Sequence, residues 1–161
     1  MSVVAVVGNP KPKSRTLEAT AMVARKLVGR EPDSVIDVAT LGPGLLGFED
    51  AGVARAVETV RAAKVLVVGS PTFKATFSGV LKVFLDQFPT DGLLGVTAFA
   101  VMVGGNPSHA LAPELSLRPL LSEMGASCPA PGFYFVGEAK EDDPRFVAWL
   151  ERVRPLVPRG A

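Results

Sequence analysis

The chain has 161 residues and a mass of 16.8 kDa, the size of one ordinary domain, and 48% of its residues are hydrophobic against 20% charged. This composition excludes an intrinsically disordered chain. Seventeen Lys and Arg balance sixteen Asp and Glu to a net charge of +1, so we expect neither nucleic acid nor a membrane as a partner. Cys128 is the only cysteine, which excludes an intramolecular disulfide. Together with the absence of a basic leader before the first apolar run, this predicts a cytoplasmic protein.

Short apolar runs alternate with amphipathic segments along the chain. Runs of β-branched residues predict strands that are buried on both faces, and apolar residues spaced by three and four predict helices. In chain order the predicted elements are a strand at Val3–Val7, a helix from Leu17 to Val28, a strand at Val35–Val38, a helix from Val53 to Val60, a strand at Val65–Val68, a helix from Phe77 to Phe88, a strand at Val96–Val103, a helix from Leu117 to Met124, a strand at Phe133–Val136 and a helix opening at Asp143-Pro144. Because of Pro113 and Pro119, the helix before Met124 is expected either to be kinked or to start late.

This alternation predicts a single α/β domain over residues 1–161, with a doubly wound parallel sheet and helices on both faces. Five strands suit the order 2-1-3-4-5, in which connections leave strands one and three in opposite directions and open a crevice between them. The ligand loops are therefore predicted at Gly8–Thr16, Gly69–Ser78 and Gly104–His109.

The first of these loops has the composition of a phosphate site. Gly8–Thr16 carries three cations, no acid and two hydroxyls, and it leads into the start of the first helix. Helix-terminal amides, hydroxyl donors and an Arg fork complement a phosphate monoester. The alternative is a solvated basic loop in which Ser14 or Thr16 caps the helix. The loop lacks the Gly-Lys-Ser/Thr ending of a nucleoside-triphosphate site.

The other two loops offer a polar edge and flat surfaces. The loop Gly69–Ser78 mixes backbone donors with aromatic side chains, which suits a planar heterocycle. We expect Phe73 to form a ligand wall and Phe77 to pack in the core. Gly104 and Gly105 either admit close approach of a ligand or form a plain turn.

Two further features are interpreted as structural. His109 has no second histidine or nucleophile to complete a triad or a metal site, so capping or packing is favoured over chemistry. The run Gly42–Gly47 matches a dinucleotide-binding pattern as a string, but no apolar-periodic helix follows immediately. It is interpreted as a surface loop.

Three segments in order resemble the NADPH-dependent FMN reductase family: Gly8–Thr16, the run from Ser70 to Lys82, and Gly104-Gly105 with His109. Within that family the chain looks most similar to flavin reductases that supply two-component monooxygenases of the alkanesulfonate type. The resemblance implies a flavodoxin-like fold and a homodimer or homotetramer, often formed through the helix after the second segment. Asn9 and Phe73 stand where the family commonly has Ser and Tyr.

The resemblance also implies site residues. The phosphate of FMN would be held by Asn9, Lys11, Ser14, Arg15 and Thr16. The isoalloxazine ring would be bordered by Pro71, Thr72, Phe73 and Lys74 and faced by Gly104 and Gly105. No protein acid or base is expected to be catalytic, but the amides of Thr72–Lys74 and the Lys74 cation would stabilise charge on the ring.

The implied activity is hydride transfer from NADPH or NADH to N5 of FMN, with the reduced flavin passing to a monooxygenase. Two alternatives remain at this point. One is a flavin-bound reductase of quinones, azo dyes or metal oxyanions, and the other is an electron carrier without nicotinamide activity. The basic first loop favours the enzyme over the carrier.

Overall fold

The computed structural model describes residues 1–158 and contains one five-stranded, all-parallel sheet. The strands are β1 (Val3–Val7), β2 (Ser34–Asp37), β3 (Val65–Pro71), β4 (Thr97–Gly104) and β5 (Phe133–Val136). They lie in the order β2-β1-β3-β4-β5, which confirms the order expected from the sequence. In the central pair, Val3 of β1 is in register with Val65 of β3 and Val7 with Gly69.

Most of the helices begin after a residue whose side chain caps the first turn. The helices are α1 (Arg15–Val28), α2 (Ala51–Arg61), α3 (Gly79–Leu85), α4 (Arg118–Glu123) and α5 (Pro144–Val153). Side chains at the position before the helix accept backbone amides at α1, α2, α3 and α5, as is usual for Ser and Asp. At the other end of α1, Gly29 takes a left-handed conformation, with φ of 74°.

Two apolar layers cover the faces of the sheet. Alternate residues of each strand point to opposite faces, so that Val4 and Val6 of β1 join one core and Val3 and Ala5 join the other. The first core is closed by residues of α2, α3 and α4, and the second by residues of α1 and α5. The central strands β1 and β3 are therefore buried at every position, which explains the apolar runs in their sequences, whereas the edge strand β2 is only partly buried.

Three segments have irregular geometry. Residues 38–46 form short 3-10 turns broken at Gly42, where φ is 61°, and most of the predicted surface loop Gly42–Gly47 lies within them. Helix α3 ends before its apolar stripe does, because the chain tightens after Leu85. Ahead of α4, Pro113–Leu117 forms a π-helical turn. The regular helix therefore starts only at Arg118, in agreement with the expected kink or late start.

Candidate functional site

A cleft of about 450 Å³ lies at the carboxyl edge of the sheet, where the loops that follow β1, β3 and β4 meet. The connection after β1 leads to α1 on one face, and the connection after β3 leads to α3 on the other. Ligands of open α/β sheets bind at this kind of switch point. A cleft of this volume is of the size that small-molecule and cofactor sites have in proteins.

The loop after β1 forms the cationic end of the cleft. Lys11, Lys13 and Arg15 line it, and no ion pair to any of these three cations is formed within residues 1–158. Ser14 is buried and its Oγ accepts the amide of Leu17 at 3.2 Å. The amides at the very start of α1 have no intrahelical acceptor. The loop therefore presents positive charge and backbone donors to one end of the cleft.

Both polar atoms of the Asn9 side chain form hydrogen bonds within this loop. Its Oδ1 accepts the amide of Lys11 at 2.9 Å, and its Nδ2 donates to Thr16 Oγ1 at 3.0 Å. Because the lone pairs of Thr16 Oγ1 receive the Asn9 amide, the buried Thr16 hydroxyl keeps its own proton to donate to a ligand. Asn9 shapes the loop and orients a donor, although it also borders the cleft.

The loop after β3 closes into a tight hairpin. Phe73 and Thr76 exchange backbone hydrogen bonds of 2.9 and 3.1 Å, and the two residues between them, Lys74 and Ala75, both have positive φ, at 52° and 65°. Two positive φ values are typical of a type I′ turn. The Phe73 ring is 49% exposed beside the cleft. The hairpin thus fixes an aromatic wall.

This hairpin removes two of the three amides of Thr72–Lys74 that were expected to face a ligand. The amide of Thr72 donates to Val103 at 2.9 Å, and the amide of Phe73 donates to Thr76. Both donors are consumed by the protein. Thr72 itself lines the cleft, and its buried Oγ1 has no hydrogen-bond partner within residues 1–158.

Two buried serines join the first two loops. The Ser78 hydroxyl donates to the carbonyl of Gly8, at the end of β1, and accepts the amide of Leu81 as the cap of α3. The Ser70 hydroxyl accepts the amide of Ser78 at 2.9 Å and donates to the carbonyl of Pro71. These hydroxyls connect the loop after β1, the hairpin and the start of α3.

The end of β4 supplies the third wall. A Cβ built on Gly104 would lie 2.1 Å from the Tyr134 hydroxyl, which donates to the carbonyl of Asn106 at 3.0 Å. A Cβ on Gly105 would meet nothing within 4 Å. The packing of Tyr134 therefore requires glycine at position 104, whereas Gly105 leaves open space at the cleft.

The cleft gathers ten of the eleven residues expected from the sequence. Asn9, Lys11, Ser14, Arg15, Thr16, Pro71, Thr72, Phe73, Gly104 and Gly105 line it. Lys74 does not, because the turn places it at the exposed hairpin tip. The cleft also contains Lys13, Glu18, Val103 and Gly137, which were not among the expected site residues. Gly137 follows β5, and the rule that ligands bind where parallel strands end could have indicated it.

The residues that line the cleft are suited to binding a ligand rather than to acid–base catalysis. Among residues 1–158, Glu18 is the only carboxylate that lines the cleft, and His109 lies in the 3-10 turn Pro107–His109, outside the lining set. The described residues hold no cluster of His, Cys, Asp or Glu suited to a metal ion. No helix in the same range is long and apolar enough to cross a bilayer.

Comparison with known proteins finds relatives that are named for FMN reduction. The family model described as NADPH-dependent FMN reductase matches residues 1–141. The chain is 33% identical over 168 residues to the FMN reductase (NADPH) of Pseudomonas aeruginosa PAO1, covering 99% of this chain and 90% of that protein. The FMN reductase (NADPH) of Escherichia coli K12 is 29% identical over 138 residues, covering 78% and 68%.

Relatives whose names specify NADH instead of NADPH match as well. The NADH-dependent FMN reductase SfnF of Pseudomonas putida is 30% identical over 167 residues, which covers 96% of this chain and 90% of that protein. Among solved structures, the apo form of an NADH:FMN oxidoreductase superposes with a TM-score of 0.86 at 32% identity, covering 99% of this chain and 91% of that one.

Proposed function

The chain belongs to the NADPH-dependent FMN reductase family, and we propose that it transfers hydride from NADPH or NADH to FMN bound in the cleft at the carboxyl edge of the sheet. The observation that carries this proposal is the pairing of a cationic, donor-rich loop with an aromatic wall across one switch point. Phosphate and a planar ring are the two parts of FMN that these walls suit. Relatives named for either nucleotide match the chain, so the proposal includes both hydride donors.

The phosphate of FMN is assigned to the start of α1. Arg15 and Lys11 supply charge, and Ser14 and Thr16 supply hydroxyl protons, since each of these oxygens already accepts a hydrogen bond from the protein. The unpaired amides of the first helical turn add donors and the positive end of the helix dipole. These groups fit a dianion better than they fit a neutral ligand.

The ring of FMN is assigned to the opposite end. Phe73 provides a flat apolar surface, and Thr72 lies beside it with an unpartnered hydroxyl, which a rotation of the side chain would turn toward the carbonyl oxygens and nitrogens of the ring edge. The open space at Gly105 allows the backbone to approach the ring. Lys74, at the tip of the hairpin, contributes electrostatically from the rim rather than by direct contact.

Bound FMN supplies the acceptor atom for hydride, so the protein has to hold two planar rings in contact and needs no acid or base of its own. The residues of this chain do three things. They would anchor the phosphate of FMN, place its ring beside Phe73 and leave room for the nicotinamide.

The test combines flavin titration with steady-state kinetics. Arg15→Ala is expected to weaken FMN binding by about tenfold, since one charge-assisted hydrogen bond contributes about 1.5 kcal/mol, and to change the rate at saturating FMN much less. Arg55→Ala removes an exposed arginine from α2 and serves as the control. Unchanged FMN affinity in Arg15→Ala would contradict the phosphate assignment. Oxidation of NADPH and NADH is measured with free FMN and with a quinone as acceptor, and faster turnover of the quinone would favour a flavin-bound quinone reductase.

We further propose that the chain forms a homodimer or homotetramer and passes reduced FMN to a flavin-dependent monooxygenase. Exposed apolar side chains support self-association. Leu111 is 64% exposed and Leu115 is 73% exposed, one helical turn apart, and surfaces of this kind are commonly covered by a partner. Light scattering after gel filtration tests the assembly, and a monomer at micromolar concentration would overturn it. Coupled turnover with a monooxygenase tests the transfer of flavin.

A further inference from the structure

Asp37, the last residue of β2, is a buried carboxylate that none of these roles uses. Its side chain is 9% exposed, and Oδ2 accepts the amide of Lys13 at 2.8 Å. Its Oδ1 is buried with no hydrogen-bond partner within residues 1–158. Burying a carboxylate is unfavourable unless its hydrogen bonds offset the loss of water. The bond to Lys13 is therefore the feature that explains a carboxylate at this place.

Lys13 has an unusual backbone conformation. Its φ is +51°, in the left-handed region that lysine seldom adopts. The next residue is Ser14, the cap of α1. The direction in which the chain enters the helix is thus set at Lys13, and with it the direction of the first free amides and of Arg15. A hydrogen bond from the Lys13 amide to a fixed acceptor oxygen offsets the cost of such a conformation.

We propose that Asp37 is a positioning residue for the phosphate of FMN: it holds Lys13 in the left-handed conformation, so that the start of α1 presents its donors to the cleft. The inference rests on the proposed function, because the phosphate belongs to FMN. Asp37 does not line the cleft. A carboxylate in direct contact with phosphate would repel it, so Asp37 acts as a hydrogen-bond acceptor for the loop.

Riboflavin, which lacks the phosphate, separates this role from general stability. Dissociation constants for FMN and riboflavin are measured by quenching of flavin fluorescence. Asp37→Ala is expected to weaken FMN binding by about tenfold, the equivalent of one lost hydrogen bond, and riboflavin binding by less than about threefold. Asp37→Asn keeps an acceptor oxygen in place, and its ratio of FMN to riboflavin affinity stays within about threefold of the original.

Two further variants complete the test. Asp37→Glu keeps the charge but displaces the acceptor by a methylene, so it lowers the affinity ratio as Asp37→Ala does, and it replaces Asp37→Ala if that variant does not fold. Asp33→Ala is the matched control, because Asp33 Oδ2 accepts the amide of Val3 at 2.7 Å at the opposite edge of the sheet. Its affinity ratio is expected to be unchanged.

The outcomes separate the two proposals. If the unaltered protein binds riboflavin as tightly as FMN, the phosphate assignment of the proposed function fails. If it prefers FMN and that preference survives in Asp37→Ala or Asp37→Glu, the positioning role is overturned. Equal loss of the preference in Asp37→Asn and Asp37→Ala also overturns it, because charge rather than acceptor geometry would then be responsible.

Discussion

Gly104→Ala is expected to destabilise the protein through contacts behind the cleft. The added Cβ would lie 2.1 Å from the Tyr134 hydroxyl oxygen, 3.0 Å from Tyr134 Cζ and 3.1 Å from Thr72 Cβ. Tyr134 is 5% exposed and packed in the core, so its ring has little room to withdraw. Overpacking of this kind costs about 1 to 3 kcal/mol. Displacing the hydroxyl from the carbonyl of Asn106 adds about 1 kcal/mol.

The expected loss of unfolding free energy is therefore about 2 to 4 kcal/mol, which lowers the urea midpoint by about 1 to 2 M if the slope is about 2 kcal/mol/M. Trp149, the only tryptophan, is 5% exposed and provides the fluorescence signal. Gly105→Ala is the control, because its Cβ meets nothing within 4 Å. That variant is expected to unfold at the original midpoint.

A second substitution tests the cause. Tyr134→Phe alone removes one hydrogen bond and costs about 1 kcal/mol. In Gly104→Ala it also removes the oxygen that the new Cβ meets first, so the double variant is expected to be more stable than Gly104→Ala. Additive losses, or a Gly104→Ala variant within about 0.5 kcal/mol of the original, would refute the reasoning.

Three further predictions concern regions outside the phosphate loop. Replacing Lys74 and Ala75 by Asn and Gly, the pair preferred in type I′ turns, is expected to raise the unfolding free energy by about 1 kcal/mol in urea titrations, and a lowered value would contradict the turn assignment. The side-chain hydrogen bond from Arg30, with a second from the backbone amide of Val3, lowers the pKa of Asp33 to about 2 from 3.8. This stabilising contribution is therefore complete above about pH 4 and is lost as the pH falls through about 2. In Asp33→Asn, the melting temperature is therefore expected to fall less between about pH 4 and about pH 2 than in the original protein. The same dependence of melting temperature on pH in both proteins would count against the ion pair. Burial raises the pKa of the Cys128 thiol, so we expect slower reaction with a disulfide reagent at pH 8 in the folded protein than in urea, and equal rates would contradict this.

The sheet could be predicted from the sequence because its signals are strong and local. A run such as Val65–Val68 is apolar at every position, and in a chain with intervening helices this leaves few arrangements besides a covered parallel sheet. The position of the cleft followed from the strand order alone, since a doubly wound sheet has one central switch point.

The finer chemistry of the site depends on contacts that sequence patterns do not carry. Lys74-Ala75 is not a usual type I′ pair, so the hairpin that consumes the Phe73 amide had no signal in composition. The engagement of both polar atoms of Asn9 was equally hidden. Asp37 meets Lys13 across 24 positions of sequence, and only the pairing of β1 with β2 brings them together.

The hydroxyl of Ser78 has a consequence for how a flavin enters and leaves. By tying the residue after β1 to the first turn of α3, it joins the two sides of the cleft. We therefore expect a flavin to enter and leave through the open side of the cleft without a hinge step. Such exchange would suit the proposed passage of reduced FMN to a monooxygenase.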